Sequence, residues 1–116
     1  LGLLISRIHR LRENRDFRRV FQRGQSFATS RLVLYSFPNR LSHYRVGFSV
    51  SKKMGNAVVR NRLKRVLRAC FYQLEKDLSS VSADFVIICR KPAVDAEFDV
   101  LLSDLRKMLN KAKNML

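Results

Sequence analysis

From Val59 onward apolar residues recur with a helical period: Val59, Leu63, Val66, Leu67, Cys70, Phe71, Leu74 and Leu78 share one arc at about 100° per residue. That is the stripe a helix buries against a sheet. Gly55 and Asn56 mark its start, because an asparagine side chain accepts one of the unpaired amides of a first turn. The serines at 79, 80 and 82 mark its end. A second stripe, Phe98, Leu101, Leu102, Leu105, Met108 and Leu109, predicts a last helix opening at Asp95 or Asp99. A short first helix, with Phe17, Val20 and Phe21 at i, i+3 and i+4, is expected between a cap at Asn14 and a stop at Gly24.

Period two takes over between these helices. Arg31 to Phe37 sends Leu32 and Leu34 to one face and Val33, Tyr35 and Phe37 to the other. Tyr44 to Val50 sets Tyr44, Val46, Phe48 and Val50 against Arg45, Gly47 and Ser49. With a short edge strand within Ser26 to Ser30 and a turn at Pro38, Asn39 and Arg40, the expectation is an antiparallel meander. Asp84 to Cys89 holds a continuous apolar run, Phe85 to Ile88, which predicts a strand buried on both faces, parallel to an earlier strand and reached through the central helix. Pro92 ends it. The order αβββαβα describes one α+β domain, a four-stranded mixed sheet packed against helices, and 116 residues of 47% apolar content support one core and hardly two.

Charge narrows the function. A formal charge of +15 and a pI near 11.1 place the partner among polyanions, nucleic acid first and an anionic membrane second. Arg60, Asn61, Lys64, Arg65 and Arg68 adjoin the apolar arc of the central helix, with Arg62 a little beyond. A merely solvated face carries both signs, paired at i,i+4. Here no acidic residue lies between Asp16 and Glu75, an interval holding thirteen Lys and Arg, so the expectation is that nothing pairs and a polyanion is awaited. Lys52 and Lys53 precede Gly55 without Walker spacing, which reads as backbone contacts and gives no support to nucleotide hydrolysis. Arg7, Arg10, Arg12 and Arg15 form a basic arm, either a tail or a phosphate-contacting strap.

The run from Arg45 to Arg68, RVGFSVSKKMGNAVVRNRLKRVLR, resembles the signature of the protein subunit of bacterial ribonuclease P, whose helix is named for the triplet present here as Arg60, Asn61 and Arg62. The resemblance extends from about His9 through the last helix. It implies a rare left-handed crossover through the basic helix, where crossovers are normally right-handed. It also implies a cytoplasmic ribonucleoprotein that matures the 5′ end of tRNA, in which the RNA subunit and its Mg²⁺ perform the hydrolysis. Lys53, Arg60, Asn61, Arg62, Lys64, Arg65 and Arg68 would meet the catalytic RNA subunit. Phe17, Phe21, Tyr35, Lys52, Arg90 and Lys91 would hold the single-stranded 5′ leader of precursor tRNA. Residue chemistry alone favours core for Phe17 and Phe21. Tyr35 reads either as a half-buried strand tyrosine or as a base-stacking platform. Gly47 permits a close approach by protein or by ligand.

Catalytic chemistry by the polypeptide itself is not expected. Phosphodiester cleavage needs carboxylates for metal, or a His, Glu or Lys of tuned pKa, and from Phe17 through Leu74 there is no carboxylate. His9 and His43 show no ligand spacing. Cys70 and Cys89 lack CxxC spacing and read as buried thiols of a reducing cytosol. Leu1 to Ile5 is too short to span a bilayer and is expected to be a tail. A structural RNA-binding protein would share this charge and size, but would not need Phe17, Phe21 and Tyr35 beside the basic helix. A DNA-binding module would need a helix-turn-helix pair or a free helix face, and a membrane-surface helix would need the apolar stripe that the core uses. No membrane contact and no obligate protein partner are expected.

Overall fold

The structure, a computed structural model, describes residues 7–116; the tail expected at Leu1 to Ile5 lies outside them. Three α-helices, α1 (Asn14–Arg23), α2 (Ala57–Gln73) and α3 (Phe98–Asn114), accompany four strands, β1 (Gln25–Ala28), β2 (Leu32–Pro38), β3 (Arg45–Ser49) and β4 (Ala83–Cys89). The α+β order and the mixed four-stranded sheet are as expected. The meander is not: the strand order is β1-β2-β4-β3, so β4 separates β2 from β3, antiparallel to the first and parallel to the second. β4, apolar from Phe85 to Cys89 and buried on both faces, takes the central place, and the alternating β3 goes to the edge. The βαβ unit from β3 through α2 to β4 is present as expected.

The alternation along the strands sorts the core. Leu32, Leu34, Val46, Phe85 and Ile87 join Leu63, Leu67 and Phe71 of α2 and Leu101, Leu105 and Met108 of α3 in the main cluster on one face. On the other face α1 packs Val20 against Val86, with Leu11, Phe17, Tyr35 and Phe37 around them. Helices thus cover both sides of the sheet, and α1 is the cover of the second.

Helix ends depart from the sequence reading in three places. Asn56 caps α2 as expected, its side chain accepting from Val59 N at 3.1 Å, but α2 stops at Gln73; Leu74 is buried at the junction and Leu78 from a tighter 3-10 turn, Glu75–Leu78. The residue preceding α1 is Glu13 and that preceding α3 is Glu97, and neither makes a side-chain cap: Asn14 is the first residue of α1 rather than its cap, and α3 opens at Phe98, between Asp95 and Asp99. Gly24 does end α1, in extended backbone rather than a left-handed turn: a Cβ there would sit 2.7 Å from the Ser36 carbonyl oxygen, so the glycine admits β2.

Candidate nucleic-acid interface

The uncovered part of the second sheet face is set by where α1 lies. Tyr35, Val86 and Gly47 stand in register across β2, β4 and β3, and α1 covers this row. The ring of Phe17 occupies the space over Gly47, so the close approach that Gly47 permits is made by protein. Phe21 meets Tyr35 edge to face, centroids 5.0 Å apart. Phe17 and Tyr35 are half-buried, and Phe21 is 37% exposed, so none of the three is fully withdrawn into the core. The next row, Val33, Ile88 and Ser49, is only half-buried although Val86 beside it is fully buried. A shallow apolar strip therefore runs from the aromatic wall of α1 toward the C-terminal ends of β3 and β4. Lys52, Arg90 and Lys91, all exposed, follow those ends. Arg90 Nη1 donates to the Thr29 carbonyl at 3.3 Å and Lys91 Nζ to the Lys53 carbonyl at 3.3 Å, which ties Lys53 to this group although the sequence reading separated them.

The basic arc of α2 borders the same region. Asn61, Arg62 and Arg65 are exposed; Arg60, Lys64 and Arg68 are half-buried. Arg60 Nε donates to the Gly55 carbonyl at 3.2 Å and Arg62 Nη1 to the Val94 carbonyl at 3.2 Å, both backbone acceptors. Among the described residues none of the α2 cations forms an ion pair.

Elsewhere the expectation that nothing pairs is corrected. Arg45 binds Asp84 through Nε at 2.8 Å and Nη2 at 2.7 Å, and reaches Asp16 of α1 at 3.4 Å; Arg19 pairs with Asp16 and Arg31 with Asp104. Their partners lie outside the acid-free interval, brought back by β4, α3 and the start of α1. The Asp84 hydrogen bond, more than any other contribution, raises the Arg45 pKa above its usual value. This network ties α1 to β3 and β4 next to Phe17, and the sequence reading did not find it; the signal was the placement of Arg45 and Asp84 on the strand face opposite the core residues.

The basic arm is ordered. Arg10 pairs with Val46 in a parallel bridge, Leu11 N–H donates to the Val46 carbonyl at 3.0 Å, and His9 stacks on Tyr44 at 4.1 Å. Cys70 and Cys89 are buried and unpaired with each other, and burial pushes their thiols up to about 12 and about 11.

The ribonuclease P family model matches residues 5–113. The ribonuclease P protein component of Bacillus velezensis is 47% identical over 104 residues, covering 89% of this chain and 88% of the relative. That of Listeria innocua is 43% identical over 102 residues, covering 87% and 85%. The solved RNase P protein of Staphylococcus aureus superposes with a TM-score of 0.82 at 37% identity over 90% of this chain and 95% of that one. The Thermotoga maritima RNase P protein gives 0.78 at 31%, over 90% and 96%. Sequence, fold and strand order agree, and the chain belongs to the ribonuclease P protein family.

Proposed function

We propose that this protein binds the catalytic RNA subunit of ribonuclease P and the 5′ leader of precursor tRNA, and so supports 5′ maturation of tRNA. The observation that carries the reading is the half-open strip beside Phe17, Phe21 and Tyr35, bordered by cations. Single-stranded RNA favours such a surface, because unstacked bases rest on aromatic and apolar groups while cations follow the phosphates. In this reading Phe17, Phe21 and Tyr35 contact leader bases, and Lys52, Arg90 and Lys91 its phosphates. Lys53, Arg60, Asn61, Arg62, Lys64, Arg65 and Arg68 face the RNA subunit.

The reaction's Mg²⁺ is assigned to the RNA. Among the described residues no three His, Cys, Asp or Glu side chains gather as a metal site, and in this reading the ion is held mainly by RNA phosphates. The polypeptide then acts by binding and alignment, with no hydrolytic step of its own. No helix among the described residues is long and apolar enough to cross a membrane, and we assign the ribonucleoprotein to the cytoplasm without an obligate protein partner.

Tyr35→Ala tests the cleft, because Tyr35 is half-buried and its loss opens no fully enclosed cavity. Holoenzyme carrying it should bind leader-bearing precursor tRNA about 1 kcal/mol or more weaker, with little change for mature tRNA. RNA-free protein serves as an inactive control. Equal losses for both substrates would return these aromatics to a purely structural role.

A further inference from the structure

A second groove lies at the end of the sheet away from Lys52, Arg90 and Lys91. Pro38, the last residue of β2, stands opposite Ala83, the first of β4, and a seven-residue strand spans about 20 Å, so this end is well separated from the strip that leads to the last residues of β3 and β4. The groove, of about 470 Å³, is bordered by Arg19 and Arg23 of α1, Phe37 and Pro38 of β2, and Arg40 and Leu41 of the turn that follows. A smaller hollow of about 150 Å³ shares Arg23, Phe37 and Pro38 with it and continues toward Ala112 and Met115. We propose that this groove is a docking site for an extended acidic segment of another protein, in which carboxylates alternate with aliphatic or aromatic side chains. The site is distinct from the RNA-binding surfaces, and its partner is one the ribonucleoprotein binds without requiring it.

The rim is preorganised. Asn39 Nδ2 donates to the His43 carbonyl at 3.2 Å and to Asp84 at 2.9 Å, its Oδ1 accepts from the Leu41 amide at 3.0 Å, and its own amide donates to the Ser82 carbonyl at 3.1 Å. Arg40 and Leu41 are thus held at the groove by a fixed turn, which lowers the ordering cost of binding. Leu41 is 39% exposed, and Pro38 and Met115 are exposed as well, so the groove carries aliphatic surface. Beside it stand Arg23 and Arg40, both exposed and without an ion-pair partner among the described residues. Arg45 and Asp84, in the same wall, neutralise each other.

This pairing of free guanidinium groups with aliphatic surface selects the occupant. A second copy of the chain would bring the same charge of +15 and be repelled. RNA would neutralise the arginines, but Pro38, Leu41 and Met115 offer no ring on which a base can stack. An acidic peptide with interspersed apolar side chains meets both demands: its carboxylates match the guanidinium forks, and its apolar side chains cover Pro38 and Leu41.

The probe is a short fluorescein-labelled peptide alternating glutamate with leucine or phenylalanine, titrated against reconstituted holoenzyme by fluorescence anisotropy; in the control peptide serine replaces every apolar residue at unchanged charge. The first peptide should bind about 10-fold or more tighter than the control. Arg40→Ser and Leu41→Ser should each weaken it about 5- to 10-fold, as for loss of one anchoring contact. Raised salt should shrink the Arg40 effect and leave the Leu41 effect in place. Both side chains are exposed, and the hydrogen bonds of the turn are made by Asn39 and the backbone, so both variants should fold and cleave precursor tRNA as wild type does. Equal binding of the two peptides, or equal losses for Arg40→Ser, Leu41→Ser and an Arg62→Ser comparison on α2, would reduce the site to general attraction by a basic surface and overturn it. Binding to the free protein that the RNA subunit abolishes, with weaker RNA-subunit affinity in the two groove variants, would also overturn it and give the groove to the RNA.

Discussion

The Phe17 ring fills the space that a side chain on Gly47 would need: a Cβ at residue 47 would sit 2.8 Å from Phe17 Cε1 and closer still to its Cζ. An aromatic on α1 and a glycine on β3 are therefore one fitting, and it sets the height of α1 above the sheet. Gly47→Ala should force the ring or the whole helix outward, at about 1–3 kcal/mol of stability, and weaken precursor tRNA binding with it. Phe17→Leu placed on top should recover part of the stability but not the binding. Thermal unfolding and leader-dependent affinity of the two single variants and the double check this; additive stability losses would show that the two residues do not act together.

Arg45 stands between two buried carboxylates, Asp84 at 1% and Asp16 at 6% exposure, and Asp84 also accepts from Asn39 Nδ2 at 2.9 Å. Removing the guanidinium leaves both acids without their shared partner. Arg45→Ala should lower stability by about 3–5 kcal/mol, the usual loss when one side of a buried pair is deleted. Asp16→Ala should lose less, since Arg45 keeps its bidentate bond to Asp84 and the Arg19 pair is largely solvated. Arg45→Met with Asp84→Leu should regain much of the loss. Denaturant melts rank the four proteins, and an Arg45→Ala protein as stable as wild type would reject the network as a structural tie.

These two relationships mark what a linear reading reaches. The strand parities were legible because residues on opposite faces alternate, so Tyr35 was separated from Leu32 and Leu34, and Arg45 and Gly47 from Val46, although which face meets α2 was not. Strand order was not, since the alternation in β2 and β3 is satisfied equally by direct pairing and by separation across β4. The meetings of Phe17 with Gly47 and of Arg45 with Asp84 and Asp16 follow from that order and from the docking of α1. The basic arc of α2 needed no tertiary information, because helical geometry alone collects it. The starts of α1 and α3 differ from expectation by one to three residues: Asn14 has the chemistry of a cap but is the first residue of α1, and α3 opens at Phe98, between Asp95 and Asp99, the chain entering both helices from a glutamate in extended backbone.

The two thiols give the fold an alkaline limit. Burial raises Cys70 to about 12 and Cys89 to about 11, whereas an unfolded chain ionises them near their ordinary value of 9.0. The unfolded state then loses protons first, so the stability is fully present below about pH 9 and is lost as pH rises toward the folded values, by about 1.4 kcal/mol per pH unit for each thiol. Tyr44, raised from 10.0 to about 12 mainly by burial, steepens the loss above pH 10. Urea melts between pH 8 and 10.5 should show the decline, and the Cys70→Ala, Cys89→Ala double variant should flatten its first part. A wild-type curve as flat as the variant's would mean that the thiols are not held neutral.

On α2, Arg60, Arg62 and Arg65 lie outside the buried stripe, and the hydrogen bonds of Arg60 and Arg62 go to backbone carbonyls rather than to acids. Water can replace a guanidinium at such a carbonyl, so replacing all three with alanine should leave the protein folded; alanine is also the better helix former. What the variant loses is phosphate neutralisation. Affinity for the RNA subunit should fall, and the dependence of log K on log salt should become shallower by roughly 0.7 to 0.9 for each contact removed. Because that slope counts released counterions, it separates a lost phosphate contact from a general loosening of the fold, which would lower affinity without changing the slope in this proportion. Titrations at several salt concentrations, with circular dichroism to verify α2, decide the matter: unchanged affinity and slope would place the RNA subunit on another face of the protein.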